Sequence, residues 1–253
     1  MAKITIHKNF GLDMRDYDFS TLFFGDDYRA TSSMYRVNYS DGTADEFRGS
    51  GFKYDSSGEP TAGTVTSYAT FYQGTRVAFI EGAKVSATDI VKAAKTSSTA
   101  DDAKIIAKVL SGNDVLLGGN KADALFGFGG NDKITGGIGA DKLYGGAGAD
   151  TFIFKSVKDS TVAASGRDKI FDFSQKEKDK VDVSAIDANS KVGGDQKFKF
   201  IGDDAFHKKV GELRYEKKGG DTLIQGDVNG DGKADFSIAL DPLINLKATD
   251  FIL

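Results

Sequence analysis

The chain has 253 residues, 40% hydrophobic and 28% charged, with a formal net charge of −4. That length suits one large domain or two to three small ones, and the mildly acidic balance argues against nucleic acid or an anionic membrane as a partner. There is no cysteine, which excludes a disulfide framework, a thiolate metal site and a cysteine nucleophile together.

The first twenty residues hold Lys3, Asp13, Arg15, Asp16 and Asp18 and no apolar h-region, so no ordinary secretory signal is expected there. No apolar run approaches the roughly 18 residues of a membrane helix. Residues 1–85 read as a β-rich domain of open role. Ser33–Tyr39, Gly63–Tyr72 and Thr75–Ile80 are rich in Val, Thr, Tyr and Phe, and are punctuated by Asp41-Gly42, Ser57-Gly58 and Gly74. Residues 86–108 read as a helical connector. Ser86 with Asp89 and Thr99 with Asp102 have capping-box spacing, and an apolar stripe Ile105, Ile106, Val109, Leu110 stops at Gly112.

Residues 109–171 are repetitive. From Val109 the chain cuts into nines: VLSGNDVLL, GGNKADALF, GFGGNDKIT, GGIGADKLY and GGAGADTFI. The template is G-G-x-G-x-D-x-U-x, with U a large apolar residue. Asp114, Asp123, Asp132, Asp141 and Asp150 recur in register. Leu116, Leu125, Ile134, Leu143 and Phe152 follow two places later. Leu110, Lys121 and Phe128 stand where the template has glycine. Asp159 and Asp168 continue the count in blocks that have lost most of their glycine, and these read as degenerate repeats closing the array.

Such a repeat points to Ca²⁺, a hard cation that takes six to eight oxygens from carboxylates and carbonyls. Glycine lets a loop turn several carbonyls toward one point, and aspartate supplies charge. The x-U-x triplet makes a very short strand with U inward. Two nonads then form one coil, so each loop stacks on the loop two repeats later.

After residue 171, short alternating segments at Lys180–Val183, Lys197–Ile201, Glu212–Tyr215, Asp221–Gln225 and Asp235–Leu240 predict a β-sandwich over 172–253. Asp227, Asn229, Asp231 and Asp235 with Gly232 have EF-hand-like spacing. However, position 12 is Ile238 rather than glutamate, and the segment reads as a turn. The fold class expected is mostly β: an N-terminal β-rich domain, a short helical connector, a parallel β-roll and a capping C-terminal β-sandwich.

The nonads resemble the RTX repeats of bacterial proteins exported by type I secretion. From Gly112 onward the chain is similar to the C-terminal domain of serralysin metalloproteases and to calcium-binding modules of secreted alginate epimerases. GGIGADKLYGGAGADTFIF, DSTV, RDKIFDF, KDKVDVSAID, GDVNGDGKADFSI and the final ATDFIL carry the likeness. The resemblance implies calcium sites built from two stacked loops. One would join Leu110, Gly112 and Asp114 to Gly127, Gly129 and Asp132. A second would join Gly119, Lys121 and Asp123 to Gly136, Ile138 and Asp141, and a third Phe128, Gly130 and Asp132 to Gly145, Ala147 and Asp150. Two more would use Gly137, Gly139 and Asp141 with Asp159, and Gly146, Gly148 and Asp150 with Asp168. It also implies export by a type I apparatus through a C-terminal signal, with Asp250–Leu253 as its acidic-then-apolar end, and an extracellular location. The block FRGSGFKYDSSGEPTAGTVTSYATFYQG resembles leader domains that precede RTX arrays elsewhere and implies no activity.

The chain has two histidines, His7 and His207, and neither an HExxH nor a GxSxG motif, so the protease that normally precedes this C-terminal domain is missing. The reading is a secreted, non-enzymatic calcium-binding protein. Its N-terminal domain would meet a surface or polysaccharide ligand. The competing reading is a hydrolytic or polysaccharide-modifying enzyme whose active site lies in that domain.

Overall fold

The computed structural model describes residues 1–253. Strand β1 (Lys3–Ile6) is followed by a 3-10 turn at Phe19–Phe23. Then come β2 (Asp27–Ala30), β3 (Met34–Asn38), β4 (Thr43–Tyr54), β5 (Pro60–Tyr72) and β6 (Thr75–Ser86). β2 to β6 form an antiparallel meander. Helices α1 (Ala87–Ala94) and α2 (Thr99–Val109) follow. Ser86 caps α1 by accepting the Thr88 amide. The cap of α2 is Ser98, one residue before the expected Thr99, and it accepts the Ala100 amide. The helices do more than connect, because Ile90, Ala93, Ala94 and Ile106 are buried with Phe47, Val65 and Ile80 of the meander.

The repeats form five three-residue strands: β7 (Val115–Leu117), β8 (Ala124–Phe126), β9 (Lys133–Thr135), β10 (Lys142–Tyr144) and β11 (Thr151–Ile153). Successive strands fall in opposite sheets, and each pairs in parallel with the strand two repeats on, β7 with β9 and β8 with β10. β9 pairs with β11 in the same way. This is the two-nonad coil. The central side chains Leu116, Leu125, Ile134, Leu143 and Phe152 point between the sheets and are fully buried. Each contributes roughly 1.5–3 kcal/mol by leaving water, and no single repeat can bury its own.

The remaining strands are β12 (Lys169–Ile170), β13 (Lys180–Asp182), β14 (Lys199–Phe200), β15 (Glu212–Lys218), β16 (Asp221–Asp227), β17 (Phe236–Leu240) and β18 (Phe251–Ile252). They continue the roll's two sheets without a break. One sheet of eleven strands runs β18-β13-β11-β9-β7-β1-β6-β5-β4-β3-β2, and the other, of seven, runs β14-β15-β16-β17-β12-β10-β8. The strands of segment 172–253 thus cap the roll by extending its own two sheets. At the other end, β1 pairs in parallel with β7 and antiparallel with β6, joining residues 1–85 to the roll. One hydrophobic core of 42 buried residues spans the whole chain. No helix is long and apolar enough to cross a membrane.

Candidate metal centre

The repeat aspartates form two vertical ladders, one along each side of the roll. Asp132 Oδ1 accepts the backbone amide of Asp114 at 2.7 Å, Asp141 that of Asp123 at 2.8 Å, and Asp150 that of Asp132 at 2.8 Å. One carboxylate oxygen of each rung thus locks the stacking register. The other is left over. Oδ2 of Asp114, Asp132, Asp141, Asp150 and Asp168 is buried with no hydrogen-bond partner. Five orphaned carboxylate oxygens, three in the Asp114–Asp132–Asp150 stack and two in the Asp141–Asp168 stack, are a large penalty unless cations answer them.

The glycines keep that space open. A Cβ on Gly127, Gly136 or Gly145 would run into Oδ2 of Asp132, Asp141 or Asp150 respectively. A Cβ on Gly130, Gly137, Gly146 or Gly148 would collide with the carbonyl of Gly112, Gly119, Phe128 or Gly130 respectively, in the neighbouring coil. The Lys121 carbonyl would lie 2.8 Å from a Cβ on Gly139. Some carbonyls of the expected sets already accept one amide: Gly119 from Ile138, Phe128 from Ala147, Ala147 from Gly130 and Gly127 from Gly129. Each keeps a second lone pair. Gly129 and Ala147 also meet in an isolated parallel bridge. Phe128 takes the left-handed backbone, φ 67°, that Gly137 and Gly146 take at the matching place. The loop keeps its shape there at a cost of about 1–2 kcal/mol. Leu110 ends α2 with φ −104° and is fully buried, so the loop it begins departs from the others.

Electrostatics follow from burial. Desolvation pushes the carboxyls of Asp132 and Asp141 up to about 7 and that of Asp179 to about 6. Asp168 is pushed to about 9, first by burial and then by the charge of Asp141. Asp123, Asp150 and Asp159 are raised for the same first reason. A stack that resists its own ionisation is one that a divalent cation or protons would satisfy.

The ladders correct two of the expected pairs. Asp168, not Asp159, accepts the Asp141 amide, at 2.9 Å, and Asp179, not Asp168, accepts the Asp150 amide, at 2.9 Å. The nine-residue count slips because Asp159 is followed two places later by Thr161, whose hydroxyl cannot fill an inward position. Asp168 is followed by Ile170, and Asp179 by Val181, both fully buried. The chain therefore loops out between Phe154 and Asp168. Asp159 closes that loop by accepting the Lys155 and Ser156 amides. Its charge still bears on both Asp141 and Asp168. Asp179 carries a readable signal, an Asp two residues before a large apolar side chain, displaced from the period. Asp172 has none, yet it accepts the Gly145 and Gly146 amides at 2.9 Å.

The EF-hand-like segment is a turn between β16 and β17. Asp227 is fully buried and accepts the amides of Asn229, Gly230 and Gly232, while Asp235 accepts the Val228 amide and the Asn229 side chain. In the N-terminal part, His7 packs on Phe10 and accepts the Asn9 amide. The carboxylate of Asp45 is held by the hydroxyls of Tyr39 and Tyr68.

The family described as "Peptidase M10 serralysin C terminal" matches residues 54–253. The chain belongs to that family. Its repeats are accordingly a calcium-binding roll of the RTX type. Two solved structures are similar to part of this serralysin C-terminal chain, both subunits of mannuronan C5-epimerase from Azotobacter vinelandii. AlgE6R3 is 29% identical, covering 56% of this chain and 73% of its own, with a TM-score of 0.40. AlgE6R2 is 26% identical, covering 56% and 88%, with a TM-score of 0.38. None of the curated proteins matches the chain.

Proposed function

We propose that this serralysin C-terminal relative is a secreted, non-enzymatic protein whose roll folds on Ca²⁺ outside the cell. The observation that carries the calcium reading is the two columns of buried, partnerless Asp Oδ2 atoms beside glycine-lined space. Bound calcium would supply the positive charge that these columns lack. Asp114 and Asp132 would hold one ion with the carbonyls of Leu110, Gly112, Gly127 and Gly129. Asp123 and Asp141 would act with Gly119, Lys121, Gly136 and Ile138, and Asp132 and Asp150 with Phe128, Gly130, Gly145 and Ala147. Asp141 with Asp168, beside Gly137 and Gly139, and Asp150 with Asp179, beside Gly146 and Gly148, would close the far end.

Ion binding to a site absent from the unfolded chain is folding energy. At low calcium each aspartate column repels itself and the repeats stay open, a form suited to threading through a type I apparatus. At millimolar calcium outside, the coils close. The experiment is titration calorimetry with circular dichroism on EGTA-stripped protein. Several ions binding with a gain of β signal is the expected result. A spectrum identical in EGTA and in Ca²⁺, with no binding heat, overturns the proposal.

The N-terminal meander would serve as the module that meets a surface or polysaccharide. Phe24, 77% exposed beside the exposed strand β2, supports a contact there. Glycan or surface binding that is unchanged by Phe24→Ala would remove that support.

A further inference from the structure

Residues 2–14 do not lie in the N-terminal meander alone. They make a pseudo-coil on the open end of the roll. Within the roll, each rung is an aspartate carboxylate accepting the amide of the aspartate in the coil above. At the tops of the two ladders Asp114 and Asp123 have no repeat above them. Oδ1 of Asp114 accepts the amide of Ala2, and Oδ1 of Asp123 accepts the amide of Leu12 at 2.6 Å. Ala2 and Leu12 thus stand where two further aspartates of the array would stand.

The mimicry extends to the core. Ile4, two residues after Ala2, pairs with Leu116 and is fully buried. Met14, two residues after Leu12, is 3% exposed, and the neighbouring Asp13 bridges to Ala124. Both therefore fill the inward U position of a nonad that the sequence does not write as one. Backbone bonds close the strap: Val115 donates to Ala2, Ala124 to Leu12, Met14 to Ala124 and Asn120 to Lys8. The same strap carries β1, whose other edge pairs with β6 of the meander.

We infer that residues 2–14 are a docking strap whose seating depends on the calcium state of the roll, so that the junction between meander and roll closes only when the ions are bound. This rests on the calcium reading above. The acceptors of the strap are the first two carboxylates of the proposed ion sites, and these are placed for the Ala2 and Leu12 amides only when their coils are stacked. Without the strap, β7 and β8 present bare edges that invite a second chain. The strap covers both.

The test is hydrogen–deuterium exchange on the full chain in EGTA and in Ca²⁺, with Leu12→Pro as the variant. Proline removes the amide that Asp123 Oδ1 accepts while replacing none of the proposed ion ligands. In the parent protein, amides of β1 and of the ladder positions Asp132 and Asp141 should gain protection together on adding Ca²⁺. In Leu12→Pro, calorimetry should count the same ions, while β1 exchanges at least ten-fold faster in Ca²⁺. If the ladder amides respond to Ca²⁺ but those of β1 do not, or if Leu12→Pro leaves β1 protection unchanged, the strap inference is overturned. If the ladder amides themselves ignore Ca²⁺, it is the calcium reading that fails.

Discussion

The double variant Asp132→Asn with Asp141→Asn should change the sign of its effect with calcium. Asp132 and Asp141 between them enter four of the five ladder pairs: 114–132, 132–150, 123–141 and 141–168. Asparagine keeps an Oδ1 to accept the Asp114 and Asp123 amides, so the coil register survives. What changes is the charge on Oδ2. In the ion-free fold both carboxyls are pushed up to about 7 by burial. A free aspartate titrates near 3.9, and each unit is worth 1.36 kcal/mol, so holding one of these groups ionised above pH 7 costs at most about 4 kcal/mol, and ~2 kcal/mol once local relaxation and solvent screening are allowed for. In EGTA at pH 7.5 the variant should therefore be more stable than the parent, by roughly 5–15 °C in melting temperature at about 2–4 °C per kcal/mol. In millimolar Ca²⁺ the order should reverse, with most of the bound ions lost by calorimetry. Paired melts in the two buffers check this. A variant that is less stable in EGTA, or equally stable in Ca²⁺, would refute the idea that these oxygens form cation columns.

Protons should partly replace the missing ions. The raised aspartate carboxyls make the ion-free fold most stable below pH 4. That stability is lost as pH rises through about 6 for Asp179, about 7 for Asp132 and Asp141 and about 9 for Asp168, so urea midpoints in EGTA should fall steadily between pH 5 and 9. Gly136→Ala places a methyl against Asp141 Oδ2. It should weaken binding of the ions that Asp141 serves by ten-fold or more, which calorimetry would resolve from an unaltered titration. Asp102 is fully buried in α2 with both oxygens partnerless, and burial pushes it up to about 6. Asp102→Asn should stabilise the protein at pH 7.5 by about 1–2 kcal/mol, and the gain should vanish near pH 4; denaturant melts that show no gain at neutral pH would contradict it.

Much of the roll was readable because its rule is local. An aspartate followed two places later by a large apolar residue marks a turn and then an inward side chain. That pattern placed β7 to β11 and the ladders from Asp114 to Asp150. It failed at Asp159 because counting by nine ignores what must fill the core: Thr161 cannot sit inside, and the chain waits until Ile170 and then Val181 can. The N-terminal strand was missed for the opposite reason. KITI is a short alternating segment with no glycine or aspartate beside it, and nothing local says that its partner is Val115–Leu117, more than a hundred residues away.

By itself, then, the sequence determined the repeat, its two-coil register, the family and the chemistry of a hard cation bound by aspartate and glycine. These follow from side-chain identity and spacing. Only the tertiary structure decided that Asp168 and Asp179 complete the ladders, that residues 172–253 continue both sheets, and that residues 2–14 cap the open end. Those are outcomes of long-range backbone pairing, where every amide and carbonyl of an open sheet edge must find a partner, and that demand leaves no mark on the residues that meet it.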